Sequence, residues 1–198
     1  MKLFHEVFKE FDLLKHPFYQ AWNEGKLTRD QLATYATQYG HFIQLVSEGW
    51  QKAGEESIAL EEQEHYVIWQ KFGNSLGADN KTTTSLHEVN ELVSSVSKNF
   101  SSYAGAIGAL YAFEKQQPAT SGSKLDGLRK HYQQWNVDET YFKIHETDFD
   151  EPALLEAKYE ALSPAEKILA ANACKETCMH LWNALSGIAD HTGVECMN

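Results

Sequence analysis

Glu62 and His65 are spaced like a chelate, on a segment where His65, Trp69, Phe72 and Leu76 step by four, three and four. That rhythm marks one face of a helix, so His65 points where the core aromatics point. Glu61 and Glu62 lie a turn earlier, and side chains at i and i+3 converge closely enough to grip one ion. In SSYAGAIGALYAFEKQQP the stripe Tyr103, Ile107, Leu110 runs on to Glu114. A buried, unpaired carboxylate costs several kcal/mol, so Glu114 requires a cation, a metal ion or its own proton. In YFKIHETDFDEPALLE, Tyr141 and His145 are four apart with Asp148 one turn further, which aligns a hydroxyl, an imidazole and a carboxylate. Asp150 and Glu151 rotate off that face and are expected in solvent.

Each feature alone has a plainer explanation. A lone histidine on an apolar face is more often a satisfied core residue than a ligand, and a salt bridge would serve Glu114 as well as a metal would. Three helices that each offer an inward carboxylate or imidazole, however, match the way bundles build carboxylate-bridged di-iron or di-manganese centres. Carboxylates bridge such hard cations, while imidazoles tune them and leave positions open for oxygen or substrate.

The elements that must position these groups are helical almost throughout. Thr28 with Gln31, Ser85 with Glu88 and Ser163 with Glu166 have capping-box spacing, and Pro164 sits where a first-turn proline is favoured. Breakers fall at His16-Pro17, Gly25, Gly77 to Asn80, Gln117-Pro118 to Gly122, and near Pro152. Between them the pattern predicts helices over 2–14, 17–24, 28–52, 56–76, 84–99, 101–116, 122–134, 138–150, 153–161 and 164–190. Alternating β-branched runs are absent, so the class is all-α. With 198 residues, 42% hydrophobic and 12% aromatic, and no Pro/Gly/Ser-rich linker, the chain reads as a single domain, 1–198, with a real core. No repeat or low-complexity tract appears beyond the polar ADNKTTTS stretch.

A net charge of −11 without a basic stripe argues against nucleic acid and against anionic membranes as partners. The opening MKLFHEVFKEFDLLKHPF has no continuous apolar region like that of a signal peptide, and no stretch approaches the roughly 18 apolar residues of a membrane span. Three cysteines, an odd number, point to a reducing cytoplasm rather than a disulfide framework. Cys174 and Cys178 share a helical stripe with Ala171, Leu181, Leu185 and Ile188 and read as core residues, while Cys196 lies in a terminal tail.

HPFYQAWNEGKLTRDQLATYATQYGHF resembles the opening of proteins with the TenA, PqqC and haem-oxygenase-like fold. GALYAFEKQQPATSGSKLDGLRKHY, followed by YFKIH and LWNALSGI, resembles more narrowly the haem-oxygenase-like di-metal oxidases, especially the CADD group named after the chlamydial protein. The resemblance runs from about residue 3 to residue 189. It implies about seven core helices around a central cavity, and iron-dependent, oxygen-activating chemistry on a small molecule. In the CADD group it further implies a place in p-aminobenzoate and folate metabolism. There a tyrosine of the protein itself is the carbon source and a lysine the nitrogen donor. By this resemblance His65 matches the first ligand histidine, Glu114 the central glutamate and His145 the histidine opening the last ligand helix. Glu62 is the candidate for the carboxylate preceding the first histidine. Tyr19 and Tyr35 fall where the group has its cavity tyrosines, and Lys124, ten residues after Glu114, where it has its lysine.

The chain departs from the pattern after His145. The family places an aspartate after three intervening residues and a second histidine after two more; here those positions are Phe149 and Pro152. Asp148 could swing inward in compensation, and His180 is a distant substitute for the histidine. Loss of two ligands would leave one metal, iron or manganese, or none, and an apolar Phe149 would dry the cavity. Two readings therefore stand. One is an oxygen-dependent oxidoreductase with a depleted iron or manganese site of one or two ions and dioxygen as co-substrate. The other is a metal-poor member of the fold that binds a small molecule or protein partner. A TenA-like hydrolase would need a cavity cysteine, and a haem oxygenase a proximal histidine, for which His5 and His16 are available. A homodimer is common for this fold.

Overall fold

The most apolar helix of the chain, Tyr103–Glu114, is buried from Ala104 to its last residue, and the other elements are arranged around it. The computed structural model describes residues 2–78 and 85–194. Among these the helices are α1 (Lys2–Glu10), α2 (Pro17–Asn23), α3 (Arg29–Ile43), α4 (Val46–Lys52), α5 (Glu56–Leu76), α6 (His87–Asn99), α7 (Tyr103–Glu114), α8 (Gln117–His131), α9 (Thr140–His145), α10 (Asp150–Ala161) and α11 (Pro164–Thr192). Short 3-10 turns at Leu13–Lys15 and Gln133–Trp135 complete them, and no strand occurs among the described residues. Cys196 and most of the ADNKTTTS stretch lie outside the described residues.

Small residues let α7 lie deep. Gly108 faces the backbone of α11, where a methyl group would run into the Ala170 carbonyl, so the two helices approach backbone to backbone. α10 and α4 also pack on α7, which brings Trp50 to Glu114 at the end of the buried helix. α5 carries Trp69, Phe72 and Leu76 into the core as its rhythm predicts, and the Trp69 indole donates to the Ala36 carbonyl of α3 at 2.8 Å. Cys174 and Cys178 are buried in α11 as core residues.

Capping boxes form at Thr28/Gln31 and Ser163/Glu166, with both reciprocal bonds in place. The one expected at Ser85/Glu88 does not form. The N-cap of α6 is Leu86, one residue later, and its N–H is satisfied by Gln38 of α3 at 2.8 Å, a tertiary partner that local spacing does not reveal. α8 begins at Gln117 rather than 122, because Pro118 falls in a first turn, where no N–H is needed. The expected helix 28–52 is two helices. Gln44 and Leu45 stay in the right-handed region, so the path is re-aimed with no glycine or proline to announce it.

The break with most consequence follows His145. The expected helix 138–150 stops at His145, Glu146 and Thr147 turn, and α10 starts afresh at Asp150. A continuous helix would put Pro152 in its interior, where the ring clashes with the preceding turn and removes a hydrogen bond at about 3 kcal/mol. Restarting at Asp150 places Pro152 in a first turn, where the missing donor costs nothing. The restart also re-phases every side chain after His145.

Candidate metal centre

Glu62 and His65 project from one face of α5. Glu62 is 1% exposed, and its Oε1 lies 2.8 Å from His65 Nδ1. Glu61, expected beside Glu62, is exposed instead. His145, at the end of α9, meets His65 edge to face with ring centroids 4.7 Å apart. One ligand atom from each of Glu62, His65 and His145 lies within 4.8 Å of the others. Ligand atoms on one ion, with bonds of about 2.1 Å, stand about 3–4 Å apart.

His145 is 1% exposed, and neither ring nitrogen has a hydrogen-bond partner; Glu62 Oε2 has none either. Burial, helped by the positive charges of His65 and Lys124, depresses the His145 pKa to about 3, so the ring is neutral. A buried neutral imidazole with a free lone pair is what a metal requires, and its orphaned atoms cost free energy when nothing binds them. Burial also works against charge on His65, but the Glu62 hydrogen bond and the Glu62, Glu61 and Asp148 charges outweigh it and raise its pKa. The donor set therefore fits a divalent cation.

Glu114 ends α7 and is 1% exposed, with Oε1 accepting the Trp50 indole N–H at 3.3 Å. Its neighbour is Glu151, which contradicts the sequence expectation. Glu151 is buried and close enough to Glu114 for each to influence the other's charge, whereas Phe149, expected to face the site, is 65% exposed. The helix restart is the reason, since the shifted phase turns Phe149 out and Glu151 in. Asp150 is exposed as expected, and Asp148 is half-buried in the turn, near enough to influence His65, Glu114 and Glu151. Burial, then the Glu151, Glu62 and Asp148 charges, hold the Glu114 pKa well above the carboxylate range. Burial and the Glu62 and Asp148 charges push Glu151 up to about 8. Without a cation, such a carboxylate group holds protons instead.

A second group lies across the core. Tyr19 of α2 and Tyr35 of α3 are buried, with hydroxyls 3.0 Å apart, and the buried Tyr39 stacks on Tyr35 with ring centroids 5.2 Å apart. Burial raises all three phenols well above their usual range. Lys124 of α8 is buried with its Nζ 4.4 Å from the Tyr19 ring centroid, and burial lowers its pKa to about 7. The ring contacts Tyr19–Tyr35 (6.1 Å), Tyr35–Trp69 (5.7 Å), Trp69–Tyr141 (4.8 Å) and Tyr141–His145 (4.3 Å) join this group to the histidines. The Tyr141 hydroxyl accepts from Gln117 at 2.8 Å.

A family model described as an iron-containing redox enzyme, haem-oxygenase-like by its name, matches residues 34–151, the span that carries Glu62, His65, Glu114, Lys124, His145 and Glu151. The chain belongs to this haem-oxygenase-like family of iron-containing redox enzymes. It is 34% identical to a 4-aminobenzoate synthase of Nitrosomonas europaea, covering 90% of this chain and 86% of that one. It is 26% identical to a 4-aminobenzoate synthase of Chlamydia pneumoniae, covering 97% and 96%. Among solved structures, a protein of unknown function with a heme oxygenase-like fold from Shewanella denitrificans superposes with a TM-score of 0.80 at 16% identity, covering 100% of this chain and 97% of that one. A CADD-like protein of unknown function from Nostoc punctiforme gives 0.59 at 20% identity, covering 97% and 99%.

Among the described residues, the groups that two other chemistries of this fold would use are otherwise engaged. His16 is committed at both nitrogens, accepting from the Phe18 N–H and bonding Ser186 Oγ at 3.0 Å, so it has no lone pair for a haem iron, and His5 is exposed. The hydrogen bond to Cys178, then burial, raises the Cys174 pKa, which keeps it a thiol rather than a nucleophilic thiolate. His180 is not part of the converging cluster. No helix among the described residues is long and apolar enough to cross a membrane. Trp50, Gln117, Tyr39 and Glu151 are site neighbours that the sequence did not single out; Gln117 was hidden within a presumed breaker and Glu151 behind an assumed straight helix.

Proposed function

We propose that this chain is an oxygen-dependent non-haem iron oxidoreductase of the CADD-like group that forms 4-aminobenzoate, with manganese as the alternative metal. Glu62, His65 and His145 hold the metal, Glu114 balances its charge, and Tyr19, Tyr35 and Lys124 are the reacting or positioning groups. The observation that carries the reading is His145, buried with two unbonded nitrogens beside a Glu–His chelate. The names of its relatives in Nitrosomonas and Chlamydia supply the product.

Bound there, iron would supply the one-electron and dioxygen chemistry that side chains lack. The chain's own residues do the rest. Burial leaves a substantial fraction of Lys124 as the free amine near neutral pH, and only an amine with an available lone pair can donate nitrogen. Tyr35 fixes the Tyr19 hydroxyl, and the ammonium-to-ring distance of 4.4 Å sets amine and ring side by side. Tyr19 and Lys124 are both nearly inaccessible, and the clefts of about 300 and 430 Å³ beside α1 are lined by residues such as Phe4, Tyr111 and Glu156 rather than by the site. A carbon source carried by the chain itself, Tyr19, suits that burial better than a diffusing substrate.

Protein produced with iron and given dioxygen and a reductant should contain metal and release 4-aminobenzoate, detectable by mass spectrometry. Protein that stays metal-free under iron-replete expression would rule the reading out. The metal-poor alternative follows from Phe149 and Pro152 at the two expected ligand positions; of these, Phe149 is turned to solvent.

A further inference from the structure

We propose that Gln117 is a positioning residue for the reaction: anchored by Ser121, its amide holds the Tyr141 hydroxyl as an acceptor and so leaves that hydroxyl's own hydrogen to serve the site beside His145. The inference rests on the function proposed above and adds a role to the same site.

Tyr141 stands one turn before His145 on α9, with ring centroids 4.3 Å apart, and it also meets the Trp69 ring at 4.8 Å. Its hydroxyl reaches the corner where α7 gives way to α8, three residues beyond Glu114, and there lies 2.8 Å from Gln117 Nε2. Both side chains are buried.

The direction of that hydrogen bond is set one turn further along α8. Ser121 is fully buried, so its hydroxyl needs an acceptor. A serine inside a helix commonly finds one in the carbonyl four residues back, which here belongs to Gln117. That carbonyl is already in use: the helix directs the Ser121 N–H to it, and the Thr120 hydroxyl donates to it at 3.2 Å. The Ser121 hydroxyl goes instead to Gln117 Oε1 at 3.3 Å. With its oxygen engaged in this way, the amide presents its NH2 to Tyr141, and a phenol that accepts on that side keeps its hydrogen for another. Gln117 is the hydroxyl's one hydrogen-bond partner among the described residues. The hydrogen is therefore free to be donated beside the Glu62–His65–His145 cluster. Dioxygen gains negative charge as it is reduced, and a donor already oriented stabilises such charge without reorganising.

The test uses the full chain as wild type, Gln117→Glu, Ser121→Ala and Tyr141→Phe. Ultraviolet resonance Raman spectra of the metal-free proteins, each taken as a difference from its Tyr141→Phe counterpart, show from the tyrosine doublet whether the Tyr141 hydroxyl accepts or donates. The expected signature is an accepting hydroxyl in wild type and a donating one in Gln117→Glu, where a carboxyl oxygen replaces the NH2. In iron-loaded protein, metal content should match wild type in every variant. Formation of 4-aminobenzoate should fall about tenfold or more in Gln117→Glu and Tyr141→Phe, and by less in Ser121→Ala, which only frees the amide to turn. A wild-type hydroxyl that donates to Gln117 overturns the proposal, and so does undiminished product from Gln117→Glu. Wild-type protein that forms no product overturns the function proposed above and this role with it, so the two failures are told apart by wild type alone. Should Gln117→Glu fail to fold, as judged by circular dichroism, Ser121→Ala decides: a changed doublet with reduced product supports the role, and an unchanged doublet with full product overturns it.

Discussion

Lys124 holds its ammonium 4.4 Å from the centre of the Tyr19 ring, in a buried setting where, among the described residues, an aromatic face rather than a carboxylate balances its charge. A cation over a ring gains on the order of 1–2 kcal/mol, less than the desolvation of the ammonium costs. The outcome is a lysine that loses its proton near pH 7 in the folded chain but near 10.5 when unfolded.

That difference predicts a pH-dependent stability. Between about 7 and 10.5 the unfolded chain binds the extra proton, so stability rises with pH across this window, and the full penalty is present below it. Lys124→Met removes the penalty. It should raise thermal stability at pH 6 by on the order of 3–5 kcal/mol, with the advantage shrinking towards pH 10. Melting curves across that range check it; an advantage that stays constant with pH would refute the buried-lysine account.

Tyr19→Phe and Tyr35→Phe should separate chemistry from metal binding. Each removes one hydroxyl of the 3.0 Å pair, a loss of about 1 kcal/mol of stability. Neither touches the Glu62–His65–His145 cluster. Metal content should stay at the wild-type level while 4-aminobenzoate formation falls at least tenfold in Tyr19→Phe. Undiminished product from that variant would remove Tyr19 from the reaction.

Gly108→Ala is expected to be among the most damaging single-methyl changes, because the added methyl meets the Ala170 carbonyl of α11 rather than a side chain that can move. Overpacking of this kind costs about 1–3 kcal/mol or more. Chemical denaturation measures it, and a cost under about 0.5 kcal/mol, the range of neutral surface changes, would mean that α7 and α11 are not so closely packed.

The fold and half of the site were legible in the sequence for a definite reason. His65, Trp69, Phe72 and Leu76 keep one helical rhythm without a break, so the side on which His65 falls can be counted from spacing alone. Glu114 likewise ends a stripe whose burial the structure repeats from Ile107 onward, although Tyr103 at its start is partly exposed. Counting fails after His145, because it assumes an unbroken helix and Pro152 makes one unfavourable. The same residue that seemed to delete a ligand causes the restart that turns Glu151 inward and Phe149 outward. The bend at Gln44 and Leu45 carries no such residue and leaves no mark in the sequence.

In the function proposed above, one of the unbonded ring nitrogens of His145 binds a metal held jointly with Glu62 and His65. Diffraction from iron-soaked crystals, with data collected on either side of the iron absorption edge, tests it most directly. The expected result is an anomalous peak bonded to His145, His65 and Glu62, which disappears in His145→Ala crystals soaked in the same way. An iron-soaked wild-type crystal with no anomalous peak there, and with the Glu62–His65 hydrogen bond intact, would contradict it.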